Sequence, residues 1–301
     1  MPGIATALAL IFTPVPFEQP ATLPPAEQGE PEVLHGEEDG EQRLTVPVSI
    51  EGQGPFPFLI DTGSQRTVVS SVLAERLGLR QGPTVRIVSV AGTDTVETAH
   101  LDEVQLGRRS IPLATVPLLK RHNMGADGIV GTDSLQDQRV LLDFENNQIR
   151  IGDRKSLGGN QGYEIVVRAR RQSGQLVVTN ATVDGVRTSI ILDTGAGTSV
   201  GNRALQRALQ KRGRPGALVK LHSVTGHSIT AELGFAEKLD IRDFSITNLV
   251  IAFTDTPAFT SLKLHSRPAL FLGMRELRLF KRVSIDFGQR KVMFDLPPMD
   301  Q

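Results

Sequence analysis

The chain has 301 residues, enough for two lobes of ordinary size, and its formal net charge is zero. No bulk field therefore draws it to nucleic acid or to an anionic membrane surface. One Tyr and no Trp weigh against base-stacking platforms, and the absence of Cys excludes disulfides, thiolate nucleophiles and Cys-based metal sites.

The first apolar run is "IATALALIF" (4–12). It is far shorter than the about 20 residues a membrane span needs, and no other stretch resembles one. Its length suits the core of a signal peptide, and "FTPVPFEQPA" follows as a polar exit, although no Lys or Arg precedes it. Read as a leader, it places the protein in a bacterial periplasm or another extracytoplasmic site; otherwise the cytoplasm is expected. Six prolines fall between Pro14 and Pro31, and the acidic run "GEEDGE" (36–41) follows. Residues 1–42 are therefore expected to be a leader and a disordered tether.

From Arg43 the pattern becomes β-like. "RLTVPVSI" alternates apolar and polar residues, and "FPFLI", "VRIVSV", "HLDEVQLG", "IPLATVPLL", "GIVG" and "RVLLDF" are short runs separated by Gly, Pro or Asp. "SVLAERLGL" (71–79) reads as a helix, with Ser70 or Ser71 as its N-cap and Gly78 near its end. "KSLGGNQG" (155–162) reads as a linker.

Beyond that linker the pattern restarts. "LVVTNATVDG" answers "LTVPVSIEGQ", and "SIILDTGAGTSV" answers "FLIDTGSQRTVV". The helical "NRALQRALQKRG" answers "SSVLAERLGLRQG", and "LHSVTGHSITAE" answers "RIVSVAGTDTVETA". "PALFLGMREL" answers "DGIVGTDSL", and "RVSIDFGQRKVMF" answers "RVLLDFENNQIRI". Segments that recur in one order imply an internal duplication. The expected lobes are 43–157 and 158–301, each all-β with one short helix. Pseudo-two-fold symmetry would bring the two Asp-Thr-Gly turns, and so Asp61 and Asp193, to the axis.

Two carboxylates side by side cannot both ionise cheaply, so such a pair shares one proton. The ionised member can take a proton from water while the other donates to a carbonyl oxygen. Apolar "FLI" and "IIL" would fix the turns, and Thr62 and Thr194 would brace them across the axis. Gly63 and Gly195 would bring N–H groups close to the carboxylates. Ser64 is expected to add a hydrogen bond to Asp61 that Ala196 cannot give Asp193, making the two aspartates electrically unequal. A lone Asp-Thr-Gly is a weak signal, and a pair of ordinary Asp-Gly turns is the bland reading. Two such turns in one duplicated frame are far more specific.

With these residues the sequence resembles the aspartic peptidases, specifically the retropepsin-like kind, over about residues 43–297. The resemblance implies a bilobal β fold like a covalently fused retropepsin dimer. It implies Asp61 and Asp193 as the pair that activates water for peptide-bond hydrolysis, with no metal, no cofactor and no covalent intermediate. The partner would be a protein or peptide substrate, and one chain would suffice for activity. It also places substrate-closing flaps at "VSVAGTDTV" (88–96) and "HSVTGHSIT" (222–230), with Ala91, Gly92, Thr93, Thr225, Gly226 and His227 at their tips. The chain departs from pepsins in having no Tyr in the first flap, no Cys, and no Lys or Arg before Arg43, so a basic pro-segment is not supported.

Other patterns carry less. No HExxH or GxSxG occurs, and "GAGTSVG" (195–201) misses the GxGxxG spacing by one. His222 and His227 could in principle flank a metal, but solvated loop histidines are the ordinary reading. The basic clusters at 167–171 and 210–214 read as solvated faces, and Asp143 and Asp286 as duplicated architecture. Two other functional classes stay open at this stage: a catalytically silent homologue that binds an extended peptide, and a competent enzyme whose flaps stay shut until a partner arrives.

Overall fold

The computed structural model describes residues 11–12, 32–38, 43–153, 155–159, 162–209 and 216–296. Two sheets, of 11 and 13 strands, make up most of it. Each half of the chain builds its sheet around one parallel pair that leads to an Asp-Thr-Gly turn. In the first half Gln53–Ile60 runs parallel to Gly128–Val130, and Val68–Ser70 packs antiparallel on the far side. In the second half Val186–Leu192 runs parallel to Ala269–Leu272, with Ser199–Gly201 antiparallel to it. The central strands are continuous apolar runs buried on both faces, as Phe58, Leu59 and Ile60, or Ile190, Ile191 and Leu192, require.

The single helix expected in each lobe is Ser71–Leu77 and Arg203–Leu209. Ser70 accepts from the Leu73 N–H at the start of the first, and Gly78 closes it in the left-handed conformation. Each half also has two shorter helical segments: Arg121–Met124 and Thr132–Leu135, then Pro257–Ser261 and Met274–Leu277.

The halves are stitched by backbone. Arg139–Asp143 pairs antiparallel with Arg282–Asp286, and Leu141 faces Ser284 at the centre of the register. The duplicated "RVLLD" and "RVSID" thus pair with each other about a local two-fold axis. Gln148–Gly152 and Glu32–His35 extend this sheet on one side, and Lys291–Asp295 and Ile165–Gln172 on the other. Strands on the near side of residue 157 are therefore hydrogen-bonded to strands beyond it. One apolar core runs beneath both sheets, from Leu34 and Leu44 to Phe280 and Phe294.

The tether expected over 13–42 is corrected in part. Glu32–His35 and Glu37–Glu38 are strands, paired with Gln148–Ile151 and with Leu44–Thr45. Leu34 is buried, and Glu32 pairs with Arg108 at 3.0 Å. An open sheet edge supplies the partners that this acidic, proline-rich composition lacks by itself. Ile11–Phe12, inside the expected leader, pairs by backbone with Ile87–Val88. The rest of 1–42, and the basic cluster at 210–214, lie outside the described residues. Among the described residues no helix is long and apolar enough to cross a membrane.

Candidate active site

Each Asp-Thr-Gly turn leaves the C-terminal end of its central strand. The Asp61 N–H donates to the Val130 carbonyl at 3.1 Å, and the Asp193 N–H donates to the Leu272 carbonyl at 2.9 Å. Downstream, the Thr132 N–H donates to Ser64 O and the Met274 N–H to Ala196 O, both at 2.8 Å. Gly131 and Gly273 precede these bonds, and both have ordinary negative φ. Their small size is needed for another reason. A Cβ on Gly131 would strike the Arg66 backbone, and one on Gly273 would lie 2.8 Å from the Thr198 carbonyl carbon.

The two turns cross at the threonines. The Thr62 hydroxyl donates to Leu192 O at 2.8 Å, and the Thr194 hydroxyl donates to Ile60 O at 2.7 Å. In return the Thr62 N–H donates to Thr194 Oγ1 at 3.0 Å, and the Thr194 N–H to Thr62 Oγ1 at 3.4 Å. Each lobe thus satisfies backbone groups of the other, in a buried setting where an unmade bond would be costly.

This crossing brings the carboxylates together. Asp61 and Asp193 are both essentially unexposed. A Cβ on Gly195 would overlap the Asp61 carboxyl, so only glycine permits that approach. Asp61 Oδ1 accepts from the N–H groups of Gly63 at 2.8 Å and Ser64 at 3.0 Å, whereas Asp193 Oδ1 accepts from the Gly195 N–H at 3.2 Å. The Asp61 Oδ2 atom is buried with no hydrogen-bond partner among the described residues.

The electrostatics follow. Burial pushes Asp61 up to about 7, opposed by the Gly63 and Ser64 amides and by the charge of Arg43. Burial, and then the charge of Asp61, holds Asp193 well above the usual carboxylate range. The pair titrates as a unit, with both members raised. The expected asymmetry arises differently from the sequence reading. The Ser64 hydroxyl turns away and donates to Arg66 O at 2.8 Å, while its backbone N–H serves Asp61.

The chain carries two aspartyl-protease-family matches in tandem. A family model described as "gag-polyprotein putative aspartyl protease" matches residues 46–137, and one described as "Aspartyl protease" matches residues 179–275. Both halves are thus similar to aspartyl proteases, in keeping with the retropepsin-like kind. A comparison with curated proteins gave no match. Each matched segment contains one Asp-Thr-Gly turn and its partner strand.

Two supports of the aspartates escaped the sequence reading. Gln175 is fully buried and its Nε2 donates to Gly63 O across the lobes. Arg43 is buried, donates to Met124 O at 2.9 Å and bears electrostatically on both aspartates. The signal was present, because Arg43 and Gln175 immediately precede the two matching strand runs "LTVPVSI" and "LVVTNATV". A third support lies beneath each turn. The Thr67 hydroxyl meets Ser134 Oγ at 2.6 Å and accepts from the Gly131 N–H, while the Ser199 hydroxyl donates to Glu276 at 2.5 Å and accepts from the Gly273 N–H.

The residues expected at the flap tips lie on two hairpin ends, Ser89–Thr93 and Ser223–Ser228, each closed by its own backbone bond. His227 is not a metal ligand candidate in this arrangement: its Nε2 lies 2.7 Å from Asp94 Oδ1. His222 is exposed, and Asp286 is engaged by Arg139 rather than by Asp143.

Proposed function

We propose that this chain is an aspartic endopeptidase that hydrolyses peptide bonds in extended protein segments with a water held between Asp61 and Asp193. The observation that carries the reading is the juxtaposition of the two buried carboxylates, with Asp61 better supplied with N–H donors. Those donors favour its ionised form, so Asp61 is the base and Asp193 the acid. Water oxygen adds to the carbonyl carbon as Asp61 takes a water proton and Asp193 protonates the carbonyl oxygen. The tetrahedral diol then collapses: the C–N bond breaks, nitrogen takes the proton from Asp61, and a diol hydroxyl returns one to Asp193. Both carboxyl groups end as they began, and no covalent intermediate forms.

The lobes 43–157 and 158–301 act as two half-sites from an internal duplication, so a monomer is sufficient. The apolar run at 4–12 supports an extracytoplasmic setting, such as a bacterial periplasm. The test is cleavage of a diverse peptide library by wild type, Asp61→Asn and Asp193→Asn across the range from about pH 4 to about pH 8. Activity in wild type that is lost in each variant is the expected result. Activity surviving in either variant would overturn the shared-dyad reading.

A further inference from the structure

Beneath each Asp-Thr-Gly turn a path of hydrogen bonds runs from the backbone of the aspartate to a second acid. In the first lobe the Asp61 N–H donates to Val130 O at 3.1 Å, and the Gly131 N–H of that peptide unit donates to Thr67 Oγ1 at 3.1 Å. Thr67 Oγ1 then has two partners, Asp133 Oδ1 at 2.8 Å and Ser134 Oγ at 2.6 Å. Asp133 Oδ1 also accepts the N–H groups of Thr67 at 2.8 Å and Ser134 at 2.9 Å.

The second lobe repeats the path and ends it differently. The Asp193 N–H donates to Leu272 O at 2.9 Å, and the Gly273 N–H of that peptide unit donates to Ser199 Oγ at 3.0 Å. Counting from the glycine, the residue that matches Asp133 is Arg275, which is exposed. The acid comes from the next position. Glu276 is buried and accepts from the Ser199 hydroxyl at 2.5 Å. Where Thr67 has two partners, the Ser199 hydroxyl has this carboxyl alone among the described residues.

We propose that Glu276 is a positioning residue for Asp193, acting through Ser199 and the Leu272–Gly273 peptide to fix the turn that carries the acid of the pair. The inference rests on the peptidase reading for its kinetic consequences only. Because Ser199 Oγ already accepts the Gly273 N–H, its own proton is directed at Glu276, and the hydroxyl rotor is set. Each bond in such a path polarises the next, so the Leu272 carbonyl becomes a better acceptor for the Asp193 N–H. Burying a carboxyl is costly, and an apolar side chain would fill the same space more cheaply, so what Glu276 contributes is the hydrogen bond it accepts. The first lobe holds its turn redundantly, and the second depends on one residue.

The test pairs Glu276→Leu, which removes the acceptor, with Glu276→Gln, which keeps it. Amide hydrogen exchange, followed residue by residue by NMR, reads the path whether or not the protein cleaves anything. Glu276→Leu should speed exchange at Gly273 and Asp193 about tenfold and leave Gly131 and Asp61 unchanged, and Glu276→Gln should behave as wild type. Unchanged exchange at Gly273 and Asp193, or an equal gain at all four amides, would overturn the relay. So would Glu276→Gln exchanging as fast as Glu276→Leu. If Glu276→Leu does not fold, Ser199→Ala breaks the path one bond nearer to Asp193 and is read at the same four amides. In peptide cleavage Glu276→Leu should lower kcat about tenfold with KM within about twofold, and Glu276→Gln should restore it, whereas Ser134→Ala should lower kcat by less than about twofold. A lower urea midpoint with kcat per folded molecule unchanged would overturn the positioning role. A wild type that cleaves nothing would count against the peptidase reading alone, and exchange would still decide the relay.

Discussion

The two lobes build the same turn from the same frame and then treat its aspartate differently. In both, a buried parallel strand pair ends at Asp-Thr-Gly, and the glycine that follows the partner strand lets the turn pass close. Yet Asp61 Oδ1 accepts two amides at 2.8 and 3.0 Å, whereas Asp193 Oδ1 accepts the Gly195 amide at 3.2 Å with a weaker contribution from that of Ala196. The buried residue before each opening strand is an arginine in one lobe and a glutamine in the other. A perfectly symmetric pair could put the shared proton on either side. Here the two aspartates differ in amide supply, which favours the ionised form at Asp61. A fused chain can keep a two-fold frame for rigidity and still give its two aspartates unequal surroundings.

The largest expected effect comes from breaking that pair. Asp61→Asn and Asp193→Asn should each lower kcat/KM by at least about a thousandfold, since the two groups act as a unit. Steady-state cleavage of one optimised peptide checks this, and a variant retaining a tenth of wild-type activity would rule out the pairing.

The second comparison lies where the repeats pair with each other. Arg139 stands opposite Asp286 and Arg282 opposite Asp143, yet only the first pair closes. Arg139 is 1% exposed and grips Asp286 Oδ2 with Nη2 at 2.7 Å and Nε at 3.1 Å. Arg282 turns to Asp295, and Asp143 accepts from Asn146. Asp286→Asn should therefore cost about 3–5 kcal/mol, because it leaves a buried guanidinium short of its carboxylate. Asp143→Asn should cost about 1 kcal/mol. Urea unfolding of both variants measures the gap, and equal losses would show that the two halves of this sheet are equivalent after all.

Much of this frame was legible before any coordinates. The duplicated order of segments gave two equivalent lobes, and the apolar triplets before each Asp-Thr-Gly gave buried strands. Ser70 and Gly78 marked the ends of the first helix. What could not be read were effects that depend on contacts between distant residues. Glu32–His35 looks unfit to fold because its partners, at 148–151, are supplied by another part of the chain. The Ser64 hydroxyl looked ready for Asp61, but the Arg66 carbonyl lies nearer to hand. The meeting of Asp94 with His227 across 133 positions carries no local signal at all.

Burial of the two carboxyls also couples folding to pH. The folded pKa of Asp61, about 7, lies above its ordinary value, and that of Asp193 is likewise held well above its own. The folded protein therefore binds more protons than the unfolded chain between those values. The pair's contribution to stability is fully present below about pH 4 and is lost as pH rises through about 7, a change on the order of a few kcal/mol. The double variant Asp61→Asn, Asp193→Asn should lack this loss, so the difference between its urea midpoint and that of wild type should grow as pH rises from about 5 to about 8. Cleavage should run the other way on this acid side, rising through about pH 7 as Asp61 ionises while Asp193 keeps its proton. A stability difference that does not change with pH would mean the carboxylates are not strained by burial.

The smallest effect tests which lobe leads in the crossing of the threonines. Both hydroxyls donate well, at 2.8 and 2.7 Å, but they accept unequally: Thr194 Oγ1 receives the Thr62 N–H at 3.0 Å, and Thr62 Oγ1 receives the Thr194 N–H at 3.4 Å. Valine keeps the shape of threonine and removes the hydroxyl. Thr194→Val should cost about 2 kcal/mol, since it strands a well-made buried N–H as well as the Ile60 carbonyl. Thr62→Val should cost about 1 kcal/mol, because the N–H it strands was poorly bonded already. The double variant should cost less than the sum, for each single change already breaks half of one network. If the two single variants prove equal and the double additive, the crossing is two separate bonds. In that case the asymmetry of the aspartates owes nothing to the threonines, and it rests on the amides of Gly63 and Ser64 and the charge of Arg43.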